Sequence, residues 1–409
     1  MLFLAGDIGG TKALLQLIYT PPVLLTDLSL FSAFSNSSTN QPNQPNQSIQ
    51  LAPKSYACAD FDSLESIIKA FLIQALSTHN LASLNVADRA LIDADAMNIQ
   101  SACFGLPGPV NGRVVQLTNL PWVIDAQKLE QACSIQSVHF VNDFYAAASG
   151  VASLTAEDVV PLYRPNLPAS GGGNRLVIGA GTGLGVAPLF YDGKNHVPVS
   201  SEGGHFDFAP ISQTQQWLLS WLWQQWPHVS YERVLSGPGL EALYGFFKRF
   251  DCPTSYAIEN SAGALSVQKT ILKDTQINLM NSLISATLKT SLVSDREDVL
   301  KIRLNAEQIS AAASQGDPIA IKALTEFVTI YGAFVGATAL IWHAPQGIYL
   351  AGGIAAKILP WMQKPYFQQA FLEKGRMSKV VANMPIFLVV DECLGLKGAM
   401  LQNYLLAKD

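Results

Sequence analysis

The chain opens twice in the same way. "LFLAGDIGGTKALLQLIY" (2–19) and "LVIGAGTGLGVAPLFY" (176–191) each read as apolar run, Gly/Thr turn, apolar run. By length and β-branching the runs at 2–6 and 13–19 are strands, so the first turn joins strand to strand. A Walker loop or a dinucleotide fingerprint requires its own glycine spacing and leads into a helix, and "DIGGTK" satisfies neither. Two degenerate copies of one opening mark two weakly similar units, which can place their turns facing one another across a cleft. A length of 409 residues suffices for two cores, and 49% hydrophobic against 14% charged residues describes a well-buried globular chain.

Between and beyond the two copies the pattern alternates. Leu64, Ile67, Ile68, Phe71, Leu72 and Ala75 recur at helical spacing, with Asp62 or Ser63 as cap. Strands are expected near 98–105 and 113–118, and "VHFVNDF" (138–144) reads as a strand ending at Asn142 and Asp143, with a helix over "AAASGVASL". The proline- and glycine-rich stretch 164–175 reads as a long loop near a domain boundary. A late strand, Ile348 to Leu350, meets a helix at Gly352 and Gly353. Phe327 to Trp342 is apolar but shorter than the roughly 20 residues a bilayer requires, and its Gly332, Gly336 and Ala337 suit close packing in a buried helix. The tryptophans of "TQQWLLSWLWQQW" (214–226) read as core or subunit interface. The Asn/Gln/Pro tract at 35–50 reads as a disordered hairpin extension, and 251–300 as an insertion with helical content.

Composition excludes several classes. A net charge of -5 is a poor match for a polyanion, so no nucleic-acid partner is expected. The five cysteines, at 58, 103, 133, 252 and 393, are scattered and form no C-x-x-C pair, which suits a reducing cytoplasm and excludes a disulfide framework. With no basic leader and Asp7 interrupting the first apolar run, neither a secretory signal nor a membrane partner is expected.

Successive backbone N–H groups in a glycine turn form a small anion-binding concavity, to which Thr11 or Thr182 adds a hydroxyl. Either turn alone reads more readily as a tight hairpin; the pair, with Gly352 and Gly353, favours a polyphosphate. A carboxylate beside such a turn repels phosphate unless a divalent cation intervenes, so Asp7 implies Mg²⁺, held through water. Asp143 lies where open α/β sheets hold ligands, beyond the carboxyl ends of their strands. It suits equally a proton acceptor for a substrate hydroxyl and a helix cap. Glu202, His205 and Glu232, with Asn142 and Asp143, make up a set of groups suited to a polyhydroxylated sugar.

In this order, "GDIGGTKALL", "FGLPGPV", "LTNLPW", "FVNDFYAAA", "GAGTGLGVA", "SEGGHFDFAP", "ERVLSGPGLEALY" and "IYLAGGIA" resemble the bacterial glucokinase family of the actin-like, hexokinase-type ATPases. The resemblance spans nearly the whole chain. It implies an α/β fold of two RNase-H-like lobes, mixed sheets flanked by helices, with ATP and sugar in the cleft between them. The smaller lobe would be 1–153, completed by a C-terminal helix at about 396–409, and the larger 154–395. It implies that Asp143 is the general base toward the sugar 6-hydroxyl, and that Asn142, Glu202, His205 and Glu232 contact sugar hydroxyls. Gly6, Asp7, Ile8, Gly9, Gly10 and Thr11 would form the first phosphate loop. Gly179 to Gly185, with Gly181, Thr182 and Gly183 at its centre, would form the second, and Gly352 and Gly353 the adenosine-side pair. The tract at 35–50 and the segment 251–300 exceed the family core. Related repressor-type sugar kinases carry a cysteine-rich zinc motif after a similar G-H element; no cysteine lies between 133 and 252, so His205 is not expected to ligate zinc. The expected reaction is phosphorylation of glucose at O6 by MgATP. Its rivals are another hexose, ADP or polyphosphate as donor, or a silent sugar sensor. A homodimer is the default assembly.

Overall fold

A computed structural model describes residues 1–20, 49–76, 98–117, 120–165, 172–261, 264–290 and 304–407. Most of the tract at 35–50 and parts of 164–175 and 251–300 lie outside these residues, as do two positions of "LTNLPW". Along the chain come β1 (Leu2–Ile8), β2 (Lys12–Tyr19), β3 (Ile49–Gln50), β4 (Lys54–Ala57), α1 (Leu64–Ala75), β5 (Ile99–Leu106), β6 (Val114–Gln116), β7 (Val123–Asp125), α2 (Ala126–Cys133), β8 (Ile135–Asn142) and α3 (Asp143–Gly150). Then follow β9 (Val159–Tyr163), β10 (Arg175–Ala180), β11 (Leu184–Tyr191), β12 (His196–Pro198), α4 (Gln213–Leu222), α5 (Gly237–Arg249), β13 (Tyr256–Ser261), β14 (Ala264–Lys269), α6 (Asp274–Thr290), α7 (Ala306–Ser314) and α8 (Pro318–Ile341). The last elements are β15 (Ile348–Ala351), α9 (Gly353–Lys357), α10 (Leu359–Met362), α11 (Pro365–Leu372), α12 (Ser378–Val381), β16 (Ile386–Val389) and α13 (Leu394–Leu406).

The chain divides into two compact units. The first comprises Met1–Val159, Lys194–Ser200 and Asp391–Asp409, the second Val160–Gly193 and Ser201–Val390. The opening stretch of the first unit runs to Val159, past the 3-10 turn Val151–Ser153 that follows α3. The chain re-enters the first unit at Asp391, ahead of its terminal helix.

In the first unit β2 pairs antiparallel with β1, β1 runs parallel to β5, and β5 parallel to β8, in the order β3-β2-β1-β5-β8. α1 forms because Ser63 accepts a hydrogen bond from the Ser66 backbone N–H (3.2 Å) and its Leu64, Ile67, Ile68, Phe71 and Ala75 face is buried. On α13, Leu396, Ala399 and Met400 pack with Phe3, Ala5, Ile18 and Ala146. The fully buried Asn403 pins two strands, its Nδ2 donating to the carbonyls of Leu4 (2.9 Å) and Ser101 (3.1 Å). A side chain at Gly398 would collide with the Ala146 carbonyl, so α13 can lie this close to α3 only through glycine.

The second unit repeats the arrangement. β10 is antiparallel to β11 and parallel to β15, which is parallel to β16, in the order β11-β10-β15-β16-β9. The repeated opening thus marks a repeated topology. The buried helix is longer than its sequence signal: α8 spans 24 residues from Pro318, capped by Asp317, whose side chain accepts from Ala320 N–H (2.7 Å). By length and composition it could cross a bilayer, but its residues are buried against α5, α7 and α11, and side chains at Gly332 and Gly336 would strike the Phe367 and Phe371 carbonyls. Trp217 and Trp221 are core, whereas Trp223 is exposed. The segment after 251 contains a hairpin, β13–β14, as well as the helix α6.

Candidate active site

In the first unit the parallel register brings the candidate residues to one edge of the sheet. Asp7 pairs with Gly105 across β1 and β5, and Leu106 with Asn142 across β5 and β8. With neighbouring strands about 4.8 Å apart, Asp7 comes to the carboxyl end of β1 and Asn142 and Asp143 to that of β8, with β5 between them. The turn between β1 and β2 closes with Gly9 N–H donating to the Lys12 carbonyl (2.9 Å). Cys58, buried beside it, donates its backbone N–H to the Thr11 carbonyl (2.9 Å) and its thiol to the Gly9 carbonyl (3.6 Å).

Asp7 is hemmed in. A side chain on Gly395 would lie 2.5 Å from its Oδ2, so the start of α13 closes over the carboxylate. Burial pushes the Asp7 carboxyl up to about 6, against the opposing pull of the Lys12 ammonium. Lys12 itself lies 3.5 Å from Glu392.

The two residues at the end of β8 have different duties. Asn142, not Asp143, caps α3: its Oδ1 accepts from Tyr145 N–H (3.0 Å) and its Nδ2 donates to the Gly108 carbonyl (3.0 Å). The strand stops at Asn142, and Asp143 is the first residue of the helix, its Oδ1 accepting from Phe144 N–H (2.8 Å). Asn142 thus holds the N-cap position, and Asp143 bonds one amide of the first turn.

In the second unit the turn between β10 and β11 is fixed from one segment. Gly237 N–H, at the start of α5, donates to the Gly181 carbonyl (2.8 Å), and Leu184 N–H donates to Glu232 Oε2 (3.0 Å). Glu202 precedes, and His205 ends, a 3-10 turn, Gly203–His205, that lies against the start of β11; a side chain on Gly204 would strike the Leu184 carbonyl. Tyr231 N–H donates to the Phe206 carbonyl (2.8 Å), and Phe208 N–H to the Val229 carbonyl (2.9 Å), so the Glu202–His205 and Glu232 segments lie side by side. Glu202 and His205 are exposed, with Oε2 and Nε2 4.0 Å apart. Gly352, at φ +88°, follows β15, and a side chain there would come within 2.7 Å of the Ala180 carbonyl, next to the same turn.

The structure thus gathers Asp7, Gly9, Gly10, Thr11, Asn142 and Asp143 in one unit, and Gly181, Thr182, Gly183, Glu202, His205, Glu232, Gly352 and Gly353 in the other. The family model described as Glucokinase matches residues 33–404. The chain belongs to the glucokinase family. A glucokinase from Nostoc punctiforme is 30% identical over 406 residues, covering 98% of each chain, and one from Nostoc sp. is 31% identical with the same coverage. The crystal structure of glucokinase from an Antarctic psychrotroph is similar with a TM-score of 0.65 and 25% identity, covering 99% of both chains. That of glucokinase from Balamuthia mandrillaris, in complex with glucose, shares the fold with a TM-score of 0.61 at 17% identity, covering 100% of this chain and 94% of that one.

Two features of this glucokinase-family site escaped sequence reasoning. Cys58 looks like an isolated cysteine, since its partners lie 47 to 49 positions upstream, at Thr11 and Gly9. Gly395 over Asp7 had a faint signal: "LGLKGAM" spaces two glycines three apart, a pattern that permits close helix packing.

Proposed function

We propose that this glucokinase-family enzyme transfers the γ-phosphoryl group of ATP to O6 of glucose. The observation that carries the reading is the division of labour at the end of β8: Asn142 supplies the helix cap, and the carboxylate of Asp143 stands at the carboxyl edge of the sheet. In this reading Asp143 accepts the proton of the 6-hydroxyl as O6 attacks the γ-phosphorus, the bond to ADP breaks, and the proton later passes to solvent. Asn142, Glu202, His205 and Glu232 orient the sugar by its hydroxyls. The turns at Gly9–Thr11 and Gly181–Gly183 bind phosphate oxygens, and Gly352 and Gly353 leave room for the adenosine.

The donor set suits Mg²⁺. Asp7 is a single carboxylate beside the turn closed by Gly9 and Lys12, and Mg²⁺ ordinarily takes one or two carboxylates and keeps several waters. Asp7 would hold the ion through water, where it would neutralise charge on the phosphate oxygens. A kinase reaction with purified protein, MgATP and glucose, assayed for glucose 6-phosphate, tests the proposal. Binding of glucose without any product would instead establish a sugar sensor, and turnover only with ADP or polyphosphate would move the donor assignment.

A further inference from the structure

Glu232 is tied to the second glycine turn more firmly than to anything else. Its Oε2 accepts the Leu184 amide at 3.0 Å, and it fills the space that a side chain at position 183 would occupy: a methyl there would lie 2.6 Å from Oε2. Among the described residues its Oε1 takes no hydrogen bond. The backbone on which it sits is itself fastened, because Ser236 Oγ donates to the Glu232 carbonyl (2.7 Å) and accepts from Gly239 N–H (3.1 Å). One residue further on, Gly237 N–H holds the other end of the same turn through the Gly181 carbonyl. The segment 232–239 is a clip with a bond at each end of Gly181–Leu184.

From this arrangement we infer that Glu232 is a positioning residue for the nucleotide-binding turn, joining it to the sugar-binding groups. The inference rests on the kinase reading above, in which that turn receives phosphate. One carboxylate oxygen fixes the turn and the other is available to a sugar hydroxyl, so Glu232 connects the two substrates within one side chain. Gly183 and Glu232 are then a matched pair: a side chain at 183 would push the carboxylate off the Leu184 amide.

The test is nucleotide binding without sugar, by calorimetry with MgADP, together with KM values for MgATP and glucose. Losing a hydrogen bond to a charged acceptor, Glu232→Ala should weaken MgADP about tenfold. Glu232→Gln, which keeps an acceptor oxygen and nearly the same shape, should retain MgADP affinity within about threefold while raising the glucose KM. His205→Ala, which removes no hydrogen bond of the clip, should leave MgADP binding at the parental value. Gly183→Ala should weaken MgADP as Glu232→Ala does, and the double variant should be no worse than either single one, since both remove the same contact. Parental MgADP affinity in both Glu232 variants, or additive losses in the double variant, would overturn the inference and leave the kinase reading standing. A parent protein that binds no nucleotide at all would overturn both.

Discussion

At the scale of single residues, Asn142 and Asp143 are neighbours in different positions, one the N-cap of α3 and the other its first residue. Asp143→Asn should bind glucose nearly as the parent does and lose about 10²- to 10⁴-fold in turnover, the usual cost of losing a general base. Near-parental turnover would reduce Asp143 to a structural residue. Asn142→Ala should instead lower the unfolding free energy by about 1 kcal/mol, the typical value of a cap, since both its amide groups are bonded within the first unit. Cys58 supports the first turn from beneath with two donors. Cys58→Val removes the thiol donor and adds a methyl to a full space, so the KM for MgATP should rise several-fold with that for glucose little changed; steady-state kinetics with each substrate varied separates the two.

At the scale of elements, α8 carries a buried charge into the second core. Glu326 is fully buried and accepts hydrogen bonds from Gln215 Nε2 (2.8 Å), Ser255 N–H (2.7 Å) and Ser255 Oγ. Burial raises its carboxyl above the ordinary 4.5, outweighing these donors. The native state then holds this proton more tightly than the unfolded chain, so the contribution of Glu326 to stability falls as pH rises above 4.5. Glu326→Gln should lower the thermal midpoint, because its amide NH₂ meets a donor, yet flatten the midpoint's pH profile over that window; an unchanged slope would refute the account. Elements of this kind were legible to different degrees. The strand–turn–strand openings, the α1 face and the late strand at 348 follow from periodicity and turn chemistry, which are local. The start of α8 at Pro318 was obscured because Lys322 and Glu326 interrupt the apolar run, and only the partners from 212–255 reconcile Glu326 with the core. The clip on the second turn and the approach of α13 to Asp7 were not legible, since each joins positions far apart in the chain. For Glu232 the sequence supplied a carboxylate but not its bond to Leu184.

At the scale of the whole molecule, the chemistry of the thiols is uniform. Cys58, Cys103, Cys133 and Cys252 are buried, and burial pushes Cys103 and Cys252 up to about 12 and Cys133 to about 11. Native protein should therefore react slowly with a chromogenic disulfide, at most one thiol, Cys393, responding promptly, whereas all five should react in denaturant; two or more fast native thiols would contradict this packing. The route of the chain has a consequence for how the protein is made. The strands of the first unit emerge from the ribosome before the second unit, but the helix that covers Phe3, Ala5 and Ile18 is synthesised only after the second unit is complete. Until then an apolar sheet face waits uncovered while the second unit has everything its own core requires. A chain cut short after Val390 lacks only its last elements, yet it should leave the first unit open to protease while residues 201–390 resist, and it should have no kinase activity. Termination between the second unit and α13 would then yield no partly working enzyme, because the helix made after that unit is also the one that closes over Asp7.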